Sequence, residues 1–220
     1  MCGRFTLHTS AEKLVERFSL QELNFLYTPS YNVAPTQNVF TISSINDSKV
    51  ASLMSWGLVP PWLKQGQSRP PLINARLETL TEKPTFRRLI NNQRCLIIAD
   101  GFYEWKIDDS QKYPVYITLD EGKPFAFAGL WDDSSPNPSC TIITQEATDF
   151  IKPIHHRMPV ILTPETERLW LSPIEFSEIR NQLPDQTQRP FKYHRVSTLV
   201  NSPKNNEVAC TLPFEQQSLF

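Results

Sequence analysis

Glycine is scarce in this chain, with six residues in 220 against nineteen prolines. That balance argues against flexible Gly-rich linkers and predicts many stiff, specified turns. There is no apolar stretch of about 18 residues, the length a membrane-crossing helix needs. The N-terminal MCGRFTLHTS also lacks the apolar core of a secretory signal. A soluble, intracellular protein is expected, cytoplasmic and nucleoid-associated if bacterial, with no membrane partner. Basic charge is not in excess: Lys+Arg total 22 against 23 Asp+Glu, a net charge of −1. Proteins that coat duplex DNA nonspecifically usually carry such an excess, so any nucleic-acid contact here requires a local basic patch. The four cysteines, Cys2, Cys95, Cys140 and Cys210, form no CxxC pair. Their spacing resembles neither a zinc module nor a disulfide-dense scaffold. Cys95 and Cys140 sit inside apolar runs and are expected in the core. No composition break, repeat or low-complexity tract divides the chain, which is 40% hydrophobic, so residues 1–220 are read as one domain.

The elements that are present are mostly strands. NVFTIS, KVASLMSW, YPVYITL, FAFAGLW, SCTIIT and MPVIL read as strands, LINAR as a short buried one and FKYHRVST as a late one. Asp100-Gly101 in RCLIIADGFYEWK reads as a bend between paired strands. Thr9-Ser10-Ala11-Glu12 reads as a capping box, followed by Leu14, Val15 and Phe18 at helical spacing, which predicts a helix over about residues 10–18. Pro84 suits a first helical position, Thr163-Pro164 starts another helix, and IEFSEIRNQL reads as a further one. Many connections are too short for βαβ crossovers. The expected class is α+β: a mainly antiparallel, β-barrel-like sheet with short flanking helices.

Cys2 is the first candidate for chemistry. Removal of Met1 would leave an α-amine and a thiol on neighbouring carbons, with reference pKa values of roughly 7.7–8.0 and 8.5. A neutral amine condenses with an aldehyde to a Schiff base, and the adjacent thiol can then close a five-membered thiazolidine. A lysine lacks the neighbouring thiol and an internal cysteine lacks the amine. Gly3 gives the terminus backbone freedom, and Arg4 offers a bidentate phosphate contact. Asn74 and Arg76, after the proline-bounded loop of residues 60–71, suit a hydrogen bond beside a sugar and a phosphate clamp; a polar strand end is the plainer reading. Glu104, alternating with Tyr103 and Trp105, is a carboxylate among aromatics and suits proton transfer; exposure on a polar strand face is the alternative. His155, in IHHRMPVIL, is either a structural histidine or an acid–base group, with Arg157 as a phosphate ligand. His155 and His156 on extended chain would point apart, and no Asp, Glu or Cys cluster lies near them in sequence, so no metal or other cofactor is expected. Trp56 is expected in the core and Trp62 at the surface, where it can stack on unpaired bases.

Taken in order, MCGRF, YNVAPTQ, WGLVPPW, INARLET, RCLIIADGFYEW, FAFAGLW, IHHRMPVIL and HRVSTLVN resemble the SRAP (SOS response-associated peptidase) family over residues 2 to about 205. The resemblance implies one α+β domain with a barrel-like core and a groove for single-stranded DNA containing abasic sites. It implies removal of Met1, by the protein itself or by an aminopeptidase, and a thiazolidine link from Cys2 to the opened sugar. Carried onto this sequence, Cys2 is the nucleophile and Asn74 positions the terminus and the sugar. Glu104 shuttles protons, and His155 assists ring opening and crosslink reversal. Arg4, Arg76 and Arg157 match phosphate-binding positions, and Trp62 a base-stacking one. The chain departs from the family at Ile98, where a proline often stands, and at Leu63, where a second tryptophan can occur. A monomer is expected, and the sequence names no replication-associated partner. Two other readings stay open: a cysteine peptidase using Cys2 and His155, and a noncatalytic single-stranded DNA-binding module.

Overall fold

The computed structural model describes residues 2–59, 70–109 and 111–214. The elements run in the order β1 (Phe5–Leu7), α1 (Ala11–Phe18), β2 (Ser30–Val33), β3 (Asn38–Ile45), β4 (Ser48–Trp56), β5 (Asn74–Arg76), α2 (Pro84–Arg87), β6 (Arg94–Ala99), β7 (Gly101–Asp108), β8 (Gln111–Leu119), β9 (Phe125–Asp132), β10 (Ser139–Glu146), β11 (Arg157–Pro159), β12 (Ile161–Leu162), α3 (Pro164–Leu171), α4 (Phe176–Ile179) and β13 (Phe191–Arg195).

Five strands close on themselves. β3 pairs antiparallel with β4 and β6, β6 with β9 and β9 with β10, and β10 returns to β4 in parallel. This ring is the barrel-like part of an α+β fold. A second, all-antiparallel sheet runs β13-β8-β7-β1-β2. Strand alternation sorts the side chains. On β6, Cys95 and Ile97 join a core shared with Phe5, Phe102 and Ile117 of the second sheet. Leu96 and Ile98 face the other way, toward Leu14, Phe86, Trp170 and Phe176 of the four helices. One face of the ring therefore packs on the second sheet and the other is covered by helices. Cys95, Cys140 and Trp56 are fully buried, as their apolar surroundings predict.

Several local expectations change. Asp100-Gly101 is not a hairpin bend, because β6 ends in the ring and β7 begins in the second sheet. The crossing is fixed by the buried Asp100 carboxylate, which accepts from Thr6 Oγ1 at 2.6 Å, His8 N–H at 2.7 Å, and Thr9 N–H and Oγ1 at 2.9 Å each. A Cβ on Gly101 would lie 2.2 Å from the Tyr116 hydroxyl oxygen, so only glycine admits that ring. The same carboxylate takes Thr9 away from α1. Ser10 is the N-cap, its side chain makes no capping bond to the helix backbone, and the predicted capping box does not form. By contrast, Thr163 and Thr166 form a reciprocal box at α3 with Pro164 in its first turn, and Pro84 opens α2. MPVIL splits at Val160: β11 pairs with β10 and β12 with β9. IEFSEIRNQL gives only α4, continued by the 3-10 turn Arg180–Gln182.

Candidate active site at the N-terminus

The pairing of β1 with β7 sets the position of Cys2. Phe5 lies opposite Phe102 and Thr6 opposite Gly101, and Tyr103 N–H donates to the Arg4 carbonyl at 2.9 Å. The preceding residues are thus carried alongside Glu104. Cys2 is fully buried in the core shared by the two sheets. Its Sγ lies 3.9 Å from the Arg4 carbonyl, and its own carbonyl accepts from Asn74 Nδ2 at 3.0 Å. Burial pushes the thiol well above its ordinary pKa, and the charge of Glu104 adds to that rise.

Glu104 follows the same alternation. Phe102 points into the core that holds Cys2, whereas Tyr103 and Trp105 pack on the opposite face with Tyr116, Val196 and Cys210. Glu104 therefore points to the Cys2 side, where it is 3% exposed. A solvated polar face is excluded. Burial pushes its carboxyl up to about 7, because the charged form loses hydration.

Asn74 reaches Cys2 from β5, which pairs in parallel with β10, Asn74 opposite Ile142. Trp56 Nε1 donates to the Ile73 carbonyl at 2.9 Å and anchors the approach to that strand. Ala75 is buried on the helix-covered side, so Asn74 and Arg76 project together on the other. Asn74 Oδ1 is buried and has no hydrogen-bond partner among the described residues. Arg76 is exposed, and its side chain makes no hydrogen bond or ion pair with the described residues.

His155 closes the turn before β11, its N–H donating to the Ile151 carbonyl at 3.0 Å. Its Nδ1 lies 3.0 Å from Arg157 N–H and 3.1 Å from the Arg157 carbonyl, so the backbone of residue 157 fixes the orientation of the ring. Burial lowers its pKa below the ordinary histidine value. The two histidines do not point apart. Their rings stack with centroids 4.4 Å apart at 26°, because the chain bends at His156 before the strand begins. Among the described residues no group of three His, Cys, Asp or Glu side chains is placed to hold a metal.

Two of the predicted phosphate ligands are engaged inside the protein. Arg4 donates to Asn32 Oδ1 at 2.8 Å and to the Val200 carbonyl at 2.6 Å. Arg157 grips both Glu78 oxygens, at 2.8 and 2.9 Å, and donates to the Thr144 carbonyl at 2.6 Å. Trp62 lies outside the described residues. Sequence reading missed Asp100, Asn32 and Glu78. Asn32 lies inside YNVAPTQ, but nothing local marks it as the acceptor for an arginine 28 residues away.

With Cys2 buried beside a carboxylate and its carbonyl held by an amide from another strand, the N-terminus is the candidate site of this fold. Residues 1–203 match the family described as SOS response associated peptidase (SRAP), and the chain belongs to that family. Among its relatives, the abasic site processing protein YoqW of Bacillus subtilis (strain 168) is 45% identical, covering 94% of this chain and 96% of its own. The abasic site processing protein YedK of Escherichia coli (strain K12) is 31% identical, covering 93% and 96%. The abasic site processing protein HMCES of Xenopus tropicalis is 31% identical over 84% of this chain and 66% of its own. A crystal structure of a Bacteroides thetaiotaomicron protein superposes with a TM-score of 0.81 at 26% identity, covering 96% of this chain and 99% of that one.

Proposed function

We propose that this protein processes abasic sites in single-stranded DNA by forming a thiazolidine between Cys2 and the opened sugar, once Met1 has been removed by the protein itself or by an aminopeptidase. Family membership and the names of its relatives support the substrate. The observation that carries the chemistry is the placement of Cys2, its carbonyl held by Asn74 and its surroundings shared with Glu104.

In this reading His155 donates a ring proton to O4′ as the C1′–O4′ bond breaks, and the C1′ hydroxyl gives up its proton to water, giving the aldehyde. The Cys2 amine attacks C1′ and water leaves, forming the imine. The thiol then adds across the C=N bond, sulfur to carbon and its proton to nitrogen, so one water is lost overall. A thiol with a raised pKa does not ionise unaided. A carboxylate with a pKa near 7 is suited to take that proton from sulfur and pass it to nitrogen. Arg76 neutralises a phosphate and Trp62 stacks on a base, while Arg4 and Arg157 brace the walls of the site. The closed ring removes the aldehyde that would otherwise drive β-elimination and strand cleavage. The protein acts as a single-domain monomer without metal or cofactor.

The raised pKa of the Cys2 thiol speaks against a general cysteine peptidase, which works through a low-pKa thiolate. The test is a denaturing gel with an abasic single-stranded oligonucleotide. Wild type gives a retained protein–DNA band. Cys2→Ala, which keeps the amine but lacks sulfur, gives one only after borohydride reduction. Equal bands without reduction would remove sulfur from the mechanism.

A further inference from the structure

A cavity of about 380 Å³ opens on the inner face of the second sheet, lined by Tyr113, Val115, Tyr193 and Arg195 together with Asp108, Asp109 and Gln111. Its position follows from strand register. Glu104 lies opposite Val115, and Val115 lies opposite Arg195, so these three share one row and one face across β7, β8 and β13. Tyr193, opposite Ile117, stands in the next row on that face. Two strand spacings, about 10 Å, separate Glu104 from the Arg195 backbone. Val115 therefore stands between Glu104 and Arg195 and belongs to the lining of the cavity.

Its lining has a particular chemistry. The Arg195 guanidinium is sandwiched between the Tyr113 and Phe214 rings, with its carbon 4.6 Å from each centroid. Tyr193 is 40% exposed and meets the equally open Phe150 ring edge-on at 5.5 Å. An exposed Tyr193 ring and a half-buried Tyr113 ring beside a fixed guanidinium suit a flat heteroaromatic group. The Asp108 carboxylate and Gln111 amide in the lining can accept from ring amino groups, and Asp108 and Asp109 would repel a phosphate.

We infer that this cavity is a nucleobase subsite, taking the base of a nucleotide that flanks the abasic sugar and stacking it on Tyr193 and Tyr113. The inference rests on the function proposed above. The cavity gives the protein a second aromatic contact with the strand, besides that assigned to Trp62.

The test compares crosslinking rates, at subsaturating protein, for three oligonucleotides with one abasic site: one with bases on both flanks, one with an unreactive tetrahydrofuran in place of the 5′ neighbour and one with it in place of the 3′ neighbour. With wild type, removing the base on one flank slows the reaction by about 5-fold or more, the scale of one lost stacking contact. Tyr193→Ala brings that ratio close to one, and Tyr193→Phe, which keeps the ring, retains it. Equal wild-type rates on all three DNAs, or an unchanged ratio in Tyr193→Ala, would overturn the subsite. If wild type crosslinks none of them, the proposed chemistry fails. The subsite is then read from fluorescence anisotropy with unreactive tetrahydrofuran-containing strands, where the same dependence on flank and on Tyr193 is expected and its absence rejects the site.

Discussion

Glu104→Gln isolates one buried charge. In the folded protein, burial moves this carboxyl from 4.5 to about 7. At about 1.36 kcal/mol for each pH unit, that difference amounts to roughly 3 kcal/mol. The sign follows from the direction. A folded pKa above the unfolded one means the neutral carboxyl contributes stability that is fully present below pH 4.5 and lost as pH rises through 7. Wild type should therefore weaken between pH 4.5 and 8, and Glu104→Gln, which cannot ionise, should lack this component. The mutant's stability relative to wild type should rise across that range by roughly 3 kcal/mol, or about 6–12 °C in Tm for a chain of this size. Paired denaturant titrations at pH 4.5, 6, 7 and 8 measure it. The crosslinking rate of wild type should climb through pH 7 as the carboxylate forms, and the mutant should lose that limb. Parallel stability profiles for the two proteins would place Glu104 at an ordinary pKa and refute both its burial penalty and its part in proton transfer.

Asn74→Ala leaves the Cys2 carbonyl without its donor and should slow crosslinking up to about tenfold, the worth of one hydrogen bond, with DNA affinity by anisotropy little changed. Asp100→Ala strands Thr6, His8 and Thr9 and should cost at least about 3 kcal/mol in urea unfolding. Gly101→Ala drives a methyl into the Tyr116 ring and should cost about 1–3 kcal/mol. The penalty should shrink in a Tyr116→Ala background, a coupling that a double-mutant cycle reads directly.

The fold was legible where local chemistry had no rival. Alternating apolar runs became strands, Pro84 and Pro164 opened helices, and Cys95, Cys140 and Trp56 went to the core. It failed where a distant group outbid a local one. Thr9 looked like a cap, yet Asp100, 91 residues away, takes its hydroxyl. Asp-Gly looked like a turn because sequence does not reveal that the strands on either side join different sheets. The site was legible at Glu104, since alternation with two aromatics does put it on the Cys2 face. Arginines resisted such reading. A guanidinium suits phosphate, carboxylate or carbonyl alike, and only the fold brings Asn32 and Val200 to Arg4, or Glu78 to Arg157.

Intact mass spectrometry before and after adding an abasic oligonucleotide bears most directly on the nitrogen and sulfur of residue 2 acting together. The mature protein should first weigh one methionine less than the encoded chain, then gain the mass of the oligonucleotide minus one water, with the thiol no longer alkylatable. An adduct of that mass on protein that still carries Met1, or one whose Cys2 thiol remains open to alkylation, would contradict the account.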